Sequence, residues 1–259
     1  MQNIQNWPEH LKHGRWILKS NWIELNSFET DRKQNAPRPP MQKAPQSDSL
    51  IKLPGIDSVR QSVGSESTLN QVVFNRKSRR KFSDESLSLA ELTYLLWATQ
   101  GVRKKTDKMT LRTVPSGGAR HPFETYIFVQ RVAGLEPGLY HYLPLDHKLE
   151  LVKDAAGFEG DTEQVLNEAL LDHNFGAAAT FIWTAFPYRS ERAYAFEAYR
   201  LILLDAGHVC QNLYLACEAI GAGTCAVGAY DQEKSDRLLG VDGSEEFVVY
   251  AAPVGKALD

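Results

Sequence analysis

The sequence predicts an α+β fold in which a central, mostly antiparallel sheet is packed by helices. Three short β-like runs follow one another closely, at 125–129, 138–142 and 148–152, with turn-forming segments between them. A long segment at 191–220 instead repeats its apolar residues in steps of three and four, which is typical of a buried helix. Helices and strands mix without a strict βαβ alternation, so a doubly wound parallel sheet is not expected.

Composition narrows the class of protein. The 259 residues are 43% hydrophobic and 24% charged, as in ordinary globular proteins with a packed core. The formal net charge of -3 gives no basic character suited to nucleic acid. The longest apolar run, 177–186, is too short to cross a bilayer, and the N-terminus lacks the pattern of a secretory signal. We therefore expect neither a nucleic-acid nor a membrane partner.

The cysteines and histidines indicate the cellular setting. Three cysteines, Cys210, Cys217 and Cys225, fall in apparent core segments and form no Cys-x-x-Cys pair. An odd set of buried thiols favours reduced cysteines and a cytoplasmic location. No metal-ligand spacing occurs among the seven histidines and three cysteines, so no bound metal is expected.

Residues 1–66 are interpreted as an N-terminal arm that wraps a larger domain, 67–259. Segments 35–40 and 46–49 are rich in proline and small polar residues and are expected to be extended and irregular, with 51–54 as a docking point. A freely disordered tail is the alternative. Against it, the arm contains aromatic residues, which disordered segments lack. These are Trp7, Trp16, Trp22 and Phe28.

Helical patterns open the domain. A helix is predicted from Ser67, and a second over 88–98, where Ser88 and Glu91 form a capping box and Gly101 ends the helix. Residues 103–108 are expected to be a polar loop. Later predicted elements are a helix at 162–171, a buried strand at 178–185, the long helix at 191–220, a strand and turn at 224–230, a short helix at 231–239 and a last strand at 246–251. The wide apolar stripe of the long helix includes Tyr199 and Leu203, so most of that helix is expected to be buried.

A glycine-paired loop leads into the first β-like run. Its sequence is Pro115-Ser116-Gly117-Gly118-Ala119-Arg120-His121-Pro122-Phe123-Glu124. Adjacent glycines admit positive φ angles and allow a ligand to approach bare backbone N–H groups. The loop therefore suits a flat cofactor with polar edges, although an ordinary turn before a strand would explain the glycines alone.

A basic cluster is the second candidate. It consists of Arg76, Lys77, Arg79, Arg80 and Lys81, with Ser78 among them. Arginine matches phosphate oxygens through two parallel hydrogen bonds, and a serine hydroxyl adds a further donor. The cluster could hold one phosphate. A solvated charged face is the alternative, and a nucleic-acid patch fits poorly with the acidic remainder of the chain.

Two further candidates lie near the C-terminus. Gly228 and Ala229 follow a strand and could present backbone N–H groups to a cofactor ring, although a strand-to-helix turn capped by Asp231 explains the same residues. Lys256 follows the last apolar run and could reach an anion, whereas a solvated residue is its default interpretation.

The order of these motifs carries more information than any one of them. Together they resemble the FMN-dependent nitroreductase superfamily, and more closely its SagB-type dehydrogenase branch, which includes azoline oxidases. The pattern Pro-Ser-Gly-Gly-Ala-x-His-Pro-x-Glu of that branch matches 115–124, with Arg120 and Phe123 in the variable places. Segments 135–142 and 199–213 also look like the branch, and the resemblance covers about 67–256.

This resemblance implies a nitroreductase-like α+β domain that forms a homodimer, with FMN lodged between the subunits. Arg76, Lys77, Ser78 and Arg80 would hold the FMN phosphate and ribityl chain. Pro115, Ser116, Gly117 and Gly118 would approach the flavin, often from the partner subunit. Gly228 and Ala229 would lie beside the isoalloxazine ring near N5, and Lys256 would return to the phosphate. Such donors stabilise a dianion and a reduced, more negative flavin.

The candidate catalytic position departs from the branch. Azoline oxidases carry a Lys-Tyr pair before the Tyr-Arg step, and this chain has Ala193-Tyr194. Tyr194 is retained as the candidate catalytic residue, but a lone tyrosine is a poor base for taking a proton from carbon. His208 is not expected to replace the lysine, because a histidine within a buried helix is usually a hydrogen-bonded structural residue.

The leading hypothesis is an FMN-dependent oxidoreductase that transfers a hydride through flavin N5 to or from a small organic substrate, with NAD(P)H as a candidate electron donor. The alternatives are a thiazoline or oxazoline dehydrogenase in peptide modification, a non-catalytic flavin-binding subunit, and a protein without flavin. The sequence leaves open the substrate, the pathway, and whether the arm covers its own active site or that of its partner.

Overall fold

The computed structural model describes residues 7–64 and 66–258. The helices are α1 (Trp7–Leu18), α2 (Trp22–Ser27), α3 (Ile56–Ser62), α4 (Leu69–Asn75), α5 (Leu89–Gln100), α6 (Thr162–Ala169), α7 (Tyr188–Tyr194), α8 (Ala198–Ala219) and α9 (Gln232–Leu239). The strands are β1 (Leu50–Lys52), β2 (Leu87–Ser88), β3 (Val102–Lys105), β4 (Thr110–Arg112), β5 (Phe123–Val129), β6 (Val132–Ala133), β7 (Gly138–Leu143), β8 (Lys148–Asp154), β9 (Ala179–Ala185), β10 (Ala222–Thr224) and β11 (Phe247–Lys256).

Seven strands form one central sheet in the order β1-β8-β7-β5-β9-β11-β10. Every neighbouring pair in this sheet is antiparallel. The short pair β2–β6 is parallel, and β3–β4 is a separate antiparallel hairpin. The predicted α+β class with a mostly antiparallel sheet is therefore confirmed. The three predicted β-like runs are also confirmed, and they correspond to β5, β7 and β8.

The sheet has a packed core on each face, because successive side chains of a strand point to opposite sides. Ile127 and Phe181 belong to the core that includes residues of α5 and α8. Their neighbours Phe128 and Ile182 belong to the second core, which includes residues of α6 and α9. Within residues 7–64 and 66–258, no helix combines the length and the apolar character needed to span a bilayer.

The arm is more regular than expected. Residues 7–27 contain the helices α1 and α2, which were not predicted, whereas 36–49, where extended and irregular segments were predicted, is without helix or strand. Its aromatic residues explain the difference, since they pack on the segment after α7: Trp16 and Phe28 lie 5.3 and 5.8 Å from the ring of Phe196. The predicted docking point is confirmed, because β1 pairs with β8 and Leu53 is buried.

The predicted long helix is wrong at its N-terminal end. The chain breaks at Ala195 (φ 42°, ψ −125°), which separates α7 from α8. A left-handed alanine is strained, and neither glycine nor proline marks the place in the sequence. The break turns α7 toward the arm, where Arg192 Nε donates to the carbonyls of Ala36 and Pro37 at 2.9 Å. These tertiary hydrogen bonds account for the interruption.

Two other local predictions are corrected. Residues 103–105 of the predicted polar loop belong to β3, and only 106–108 lie in the loop that joins β3 to β4. The last strand does not end at Ala251, because β11 keeps its register with β9 through Pro253, which pairs with Thr180. On the other side of β11, the carbonyl of Pro253 accepts from Thr224 Oγ1 at 2.8 Å.

One face of α8 is exposed, contrary to the predicted burial. Tyr199, Leu203 and Leu204 are 43%, 55% and 50% exposed. His208 is also exposed rather than buried: half of its side chain is accessible, and its Nδ1 lies 3.9 Å from Asp205 Oδ1. The periodicity marked these positions as apolar but could not show that no element in the described part of the chain covers them.

A buried charge network joins the sheet, α7 and the arm. Glu124 forms an ion pair with Arg189 and accepts from His141 Nε2 at 2.9 Å and from the backbone N–H of Lys43 at 2.7 Å. Burial alone would raise the pKa of Glu124, but Arg189 and His141 lower it to about 2. His141 lies 3.4 Å from Glu150 as well, and although burial opposes protonation, the two carboxylates raise its pKa above 6.5.

We predict that the stability conferred by His141 declines as pH rises. A raised pKa contributes stability that is fully present below pH 6.5 and is lost as pH rises through the folded-state pKa. The difference in unfolding free energy between the protein and His141→Gln should therefore shrink from about pH 5 to about pH 9, as measured by urea denaturation.

His121→Asn is the matched control with the opposite sign. Burial lowers the pKa of His121 to about 3, so the folded protein holds this imidazole in its neutral form. The stability that His121 contributes is therefore lost as pH falls below 6.5. The difference between the protein and this variant should therefore grow with rising pH. If the difference in unfolding free energy changed with pH in the same direction for both variants, the opposite pKa shifts of His141 and His121 would be contradicted.

Candidate functional site

The glycine loop is held by a carboxylate of α8. Ser116 Oγ donates to Asp205 Oδ2 at 2.6 Å, and the N–H of Gly117 lies 3.2 Å from both carboxylate oxygens. Ser116 Oγ also accepts from the N–H of His121 at 2.9 Å, which closes the loop on itself. Asp205 is buried, and burial raises its pKa. The sequence analysis missed Asp205 as a site residue, although an acid within the apolar stripe of a helix was the available signal.

The loop brings the candidate catalytic residue beside the paired glycines. Gly118 has φ 58°, and a Cβ added there would lie 2.0 Å from the Tyr194 hydroxyl. The Tyr194 ring is also in contact with Trp22 of the arm, at 5.5 Å between centroids, and with the Arg120 guanidinium at 5.7 Å. The second glycine is thus needed both for its positive φ and for the close approach of Tyr194.

Gly118→Ala should destabilise the loop more than backbone strain alone explains. A left-handed alanine costs about 1 kcal/mol, and the clash with Tyr194 adds to it. Gly134→Ala is the matched control, because Gly134 also has a positive φ (88°) but has no atom within 4 Å of an added Cβ. Urea denaturation should show a larger loss for Gly118→Ala, and equal losses would show that Tyr194 can move aside.

The basic cluster divides into paired and unpaired side chains. Arg79 forms an ion pair with Glu218 and is therefore committed to the fold. Arg76 lies over the ring of Tyr214 at 5.2 Å, and Ser78 Oγ is 2.9 Å from the Tyr214 hydroxyl. Lys77 and Arg80 are exposed. Across residues 7–64 and 66–258, neither of these two side chains takes part in an ion pair.

Tyr214 and the strand ends bring the C-terminal candidates to the basic cluster. The Tyr214 hydroxyl accepts from the N–H of Ala226 at 2.8 Å, two residues before the exposed Gly228. The carbonyl of Lys256 accepts from the N–H of Ser83 at 3.0 Å, which places β11 beside the end of the cluster. The Lys256 ammonium itself pairs with Glu91. Tyr214 was missed as a site residue because its spacing placed it in the helix core.

The glycine loop and the basic cluster remain apart within one chain. The loop is anchored at Asp205 and the cluster contacts Tyr214, both on α8. Since a helix rises about 1.5 Å per residue, these two points lie roughly 13 Å apart along its axis. The predicted site residues therefore form two groups, at different levels of the same helix.

The residues of the basic cluster fit a phosphate. A phosphate dianion requires several donors that are not already neutralised by carboxylates. Lys77 and Arg80 meet that requirement, Arg76 carries only a cation–π contact, and the Ser78 hydroxyl is adjacent. The exposed Gly228 and Ala229 follow Ala226, whose N–H donates to the same Tyr214 hydroxyl that Ser78 contacts.

Comparison with known proteins identifies the family of the chain. The sequence profile of the nitroreductase family matches residues 73–256, so the chain belongs to the nitroreductase family, which is a family of oxidoreductases. A provisionally named nitroreductase of Methanocaldococcus jannaschii is 33% identical over 214 residues, covering 81% of this chain and 97% of that protein.

Two other proteins show a wider range of relatives. The trifolitoxin-processing protein of Rhizobium leguminosarum bv. trifolii is 30% identical over 169 residues, and the match spans 57% of this chain and 43% of that protein. A crystal structure of a provisionally named nitroreductase from Anabaena variabilis superposes with a TM-score of 0.71 at 25% identity, over 96% of this chain and 46% of that one. The chain thus spans about half the length of these two proteins.

Proposed function

We propose that the protein is an FMN-dependent oxidoreductase acting on a small organic substrate, with NAD(P)H as its electron donor. The observation that carries the proposal is the group of unneutralised donors at the basic cluster. Lys77 and Arg80 have no carboxylate partner in the described part of the chain, whereas Arg79 between them is paired. This arrangement supports a bound phosphate, and the nitroreductase family supports a redox function.

Two groups of residues in this chain would bind different parts of FMN. Lys77, Arg80 and Ser78 would hold the phosphate, and the backbone at Gly228 and Ala229 would face the ring. FMN supplies hydride transfer at its N5 atom when it is bound. Lys256 could join the phosphate only by leaving Glu91, its ion-pair partner in this structure.

A homodimer is part of the proposal. The exposed apolar face of α8 supports it, since Tyr199, Leu203 and Leu204 lack cover from the described residues of their own chain. The distance between the glycine loop and the basic cluster supports it as well, because a second copy could bring its own loop to this cluster. We place the protein in the cytoplasm, which agrees with three free and buried cysteines.

Oxidation of an azoline ring in a modified peptide is the second candidate function. The similarity to a trifolitoxin-processing protein favours it. The residue before Tyr194 is the buried Ala193, whose methyl side chain cannot take a proton. Tyr194 alone would have to serve, and a lone phenol is a poor base for taking a proton from carbon, so this activity is expected to be weak or absent.

The visible spectrum of the purified protein, followed by anaerobic addition of NADH or NADPH, tests the proposal. A flavin spectrum that is bleached by either nicotinamide is the expected result. A bound flavin that neither nicotinamide reduces would overturn the reductase version and favour a subunit that binds flavin without turnover. A colourless protein that cannot be reconstituted with FMN would overturn the proposal as a whole.

The second candidate is tested with a thiazoline-containing peptide and dissolved oxygen as the acceptor. Formation of the thiazole would establish ring oxidation in spite of Ala193. Ala193→Lys is the informative variant, because it restores the lysine of the azoline oxidase pattern. If only this variant forms the thiazole at a measurable rate, the native protein does not catalyse azoline oxidation.

A further inference from the structure

A cavity with an excess of positive charge lies apart from the basic cluster and is lined in part by Arg120, which contacts the Tyr194 ring. It has a volume of about 210 Å³ and opens between three parts of the chain: the arm at 38–41, the β3–β4 hairpin at 107–110, and the glycine loop at Ala119 and Arg120. The cavity therefore exists only where the arm closes over the loop. None of the roles proposed above uses it.

The charges around this cavity do not cancel. Arg38, Lys108 and Arg120 face a single acid, Asp107. A fourth cation in the lining, Arg189, is already neutralised by its buried ion pair with Glu124. The remaining excess of positive charge favours an anion in a partly enclosed space, where attraction is screened less than in bulk water.

Arg120 is the side chain best placed to bind such an anion. Its Nε is buried and has no acceptor among the residues that the structure describes. Buried polar groups almost always have a hydrogen-bond partner, so the Arg120 guanidinium has hydrogen-bonding capacity that the described residues do not use. The guanidinium also lies over the Tyr194 ring at 5.7 Å, which fixes it beside the candidate catalytic residue.

The rest of the lining describes the body of the ligand. Pro39, Pro40, Met41 and Met109 give the cavity an apolar wall between the arm and the hairpin. A small cavity with planar guanidinium groups and an apolar wall suits a carboxylate on a small hydrophobic body, because guanidinium and carboxylate form two parallel hydrogen bonds. Arg120 also occupies a variable place in the pattern of the SagB-type branch, so its contact would be particular to this chain.

We infer that this cavity binds the carboxylate of the substrate through Arg120, so that the substrate class is a small aromatic or aliphatic carboxylic acid. The inference rests on the proposed function, because it assigns a substrate to the proposed oxidoreductase. The binding itself does not depend on a flavin or on turnover, and it can be measured separately.

Isothermal titration of the full-length protein with 4-nitrobenzoate and with 4-nitrobenzamide tests the assignment. The two compounds have similar shapes, and only the first is an anion at neutral pH. We expect 4-nitrobenzoate to bind at least about tenfold more tightly, as one charge-assisted contact allows. Equal affinities, or no binding of either compound, would overturn the inference without any mutation.

Two variants assign the preference to Arg120. Arg120→Gln should abolish the preference for the carboxylate, and Arg120→Lys should retain part of it because the charge remains but the planar fork is lost. Arg103→Gln, at an exposed position in β3, is the matched control and should leave the preference unchanged. A preference that survives Arg120→Gln would overturn the assignment, and tighter binding of phenyl phosphate than of benzoate would overturn the choice of carboxylate.

The two proposals can fail separately. A colourless protein that still prefers 4-nitrobenzoate would refute the oxidoreductase and support the anion cavity. A flavin enzyme that reduces both nitro compounds with equal KM would refute the cavity and leave the oxidoreductase intact. If both hold, Arg120→Gln should raise the KM for 4-nitrobenzoate by about tenfold with little change in kcat, since it removes binding rather than chemistry.

Discussion

Replacing Lys77 and Arg80 together by glutamine should weaken FMN binding by about a hundredfold or more. These two side chains are exposed and lack carboxylate partners in the described part of the chain, so a phosphate would be their main counter-ion. Each charge-assisted hydrogen bond contributes about 1.5–3 kcal/mol, and the loss of two such bonds gives a change of this size. Fluorescence titration of the apoprotein with FMN measures it directly.

Riboflavin provides the internal control for this prediction, because it carries the same ring and ribityl chain without the phosphate. The native protein should prefer FMN to riboflavin, and the Lys77→Gln/Arg80→Gln variant should bind the two with nearly equal affinity. Arg103→Gln/Lys104→Gln removes the same charge from the exposed strand β3 and should keep the preference. If the cluster variant still prefers FMN strongly, the phosphate lies elsewhere.

Glu124→Gln should cost the fold about 3–5 kcal/mol of unfolding free energy. Glu124 is fully buried and compensates the equally buried Arg189 while accepting from His141. Removal of its charge leaves the Arg189 guanidinium buried without a counter-ion, and an uncompensated buried charge strongly destabilises the folded state. Urea denaturation near neutral pH would show the loss as a lower transition midpoint.

Two further variants show whether the ion pair is the cause. Glu124→Gln/Arg189→Met removes both charges and should recover part of the loss, since no unpaired charge then remains. Glu233→Gln breaks an exposed pair with Arg237 in α9 and should change the midpoint little. A Glu124→Gln variant as stable as Glu233→Gln would contradict the network.

The same prediction has a consequence for the arm. Glu124 accepts from the N–H of Lys43, and Arg189 Nε donates to the carbonyl of Pro40 at 2.8 Å. The final glutamate of the glycine-loop motif thus holds the arm as well as the sheet. Limited proteolysis of Glu124→Gln should therefore cut the arm faster than it cuts the native protein, whereas Glu233→Gln should not differ.

Much of the fold could be predicted from local patterns. The β-like apolar run at 125–129 and the capping box at Ser88 and Glu91 each depend on residues close in sequence, and both appear in the structure as expected. The motif order from the basic cluster to Lys256 also predicted the family, which is now confirmed. The roles of the individual site residues remain predictions.

Other features were decided by contacts between distant residues. No local pattern breaks the helix at Ala195, because the cause is the attachment of α7 to an arm more than a hundred residues earlier in the chain. Two neighbouring arginines of the basic cluster also differ in their role, since Arg79 forms an ion pair with Glu218 of α8 and Arg80 does not.

The sequence by itself therefore determined the class of fold, the family and the candidate residues, because apolar β-like runs, capping and motif order are local properties. Only the tertiary structure decided which charges are neutralised, which face of α8 stays uncovered and that Arg120 faces a cavity beside Tyr194. The physical reason is that burial and charge compensation depend on which segments meet in space. A charged side chain has the same chemistry whether or not it is neutralised, and the presence of a partner determines whether it supports the fold or remains available to a ligand.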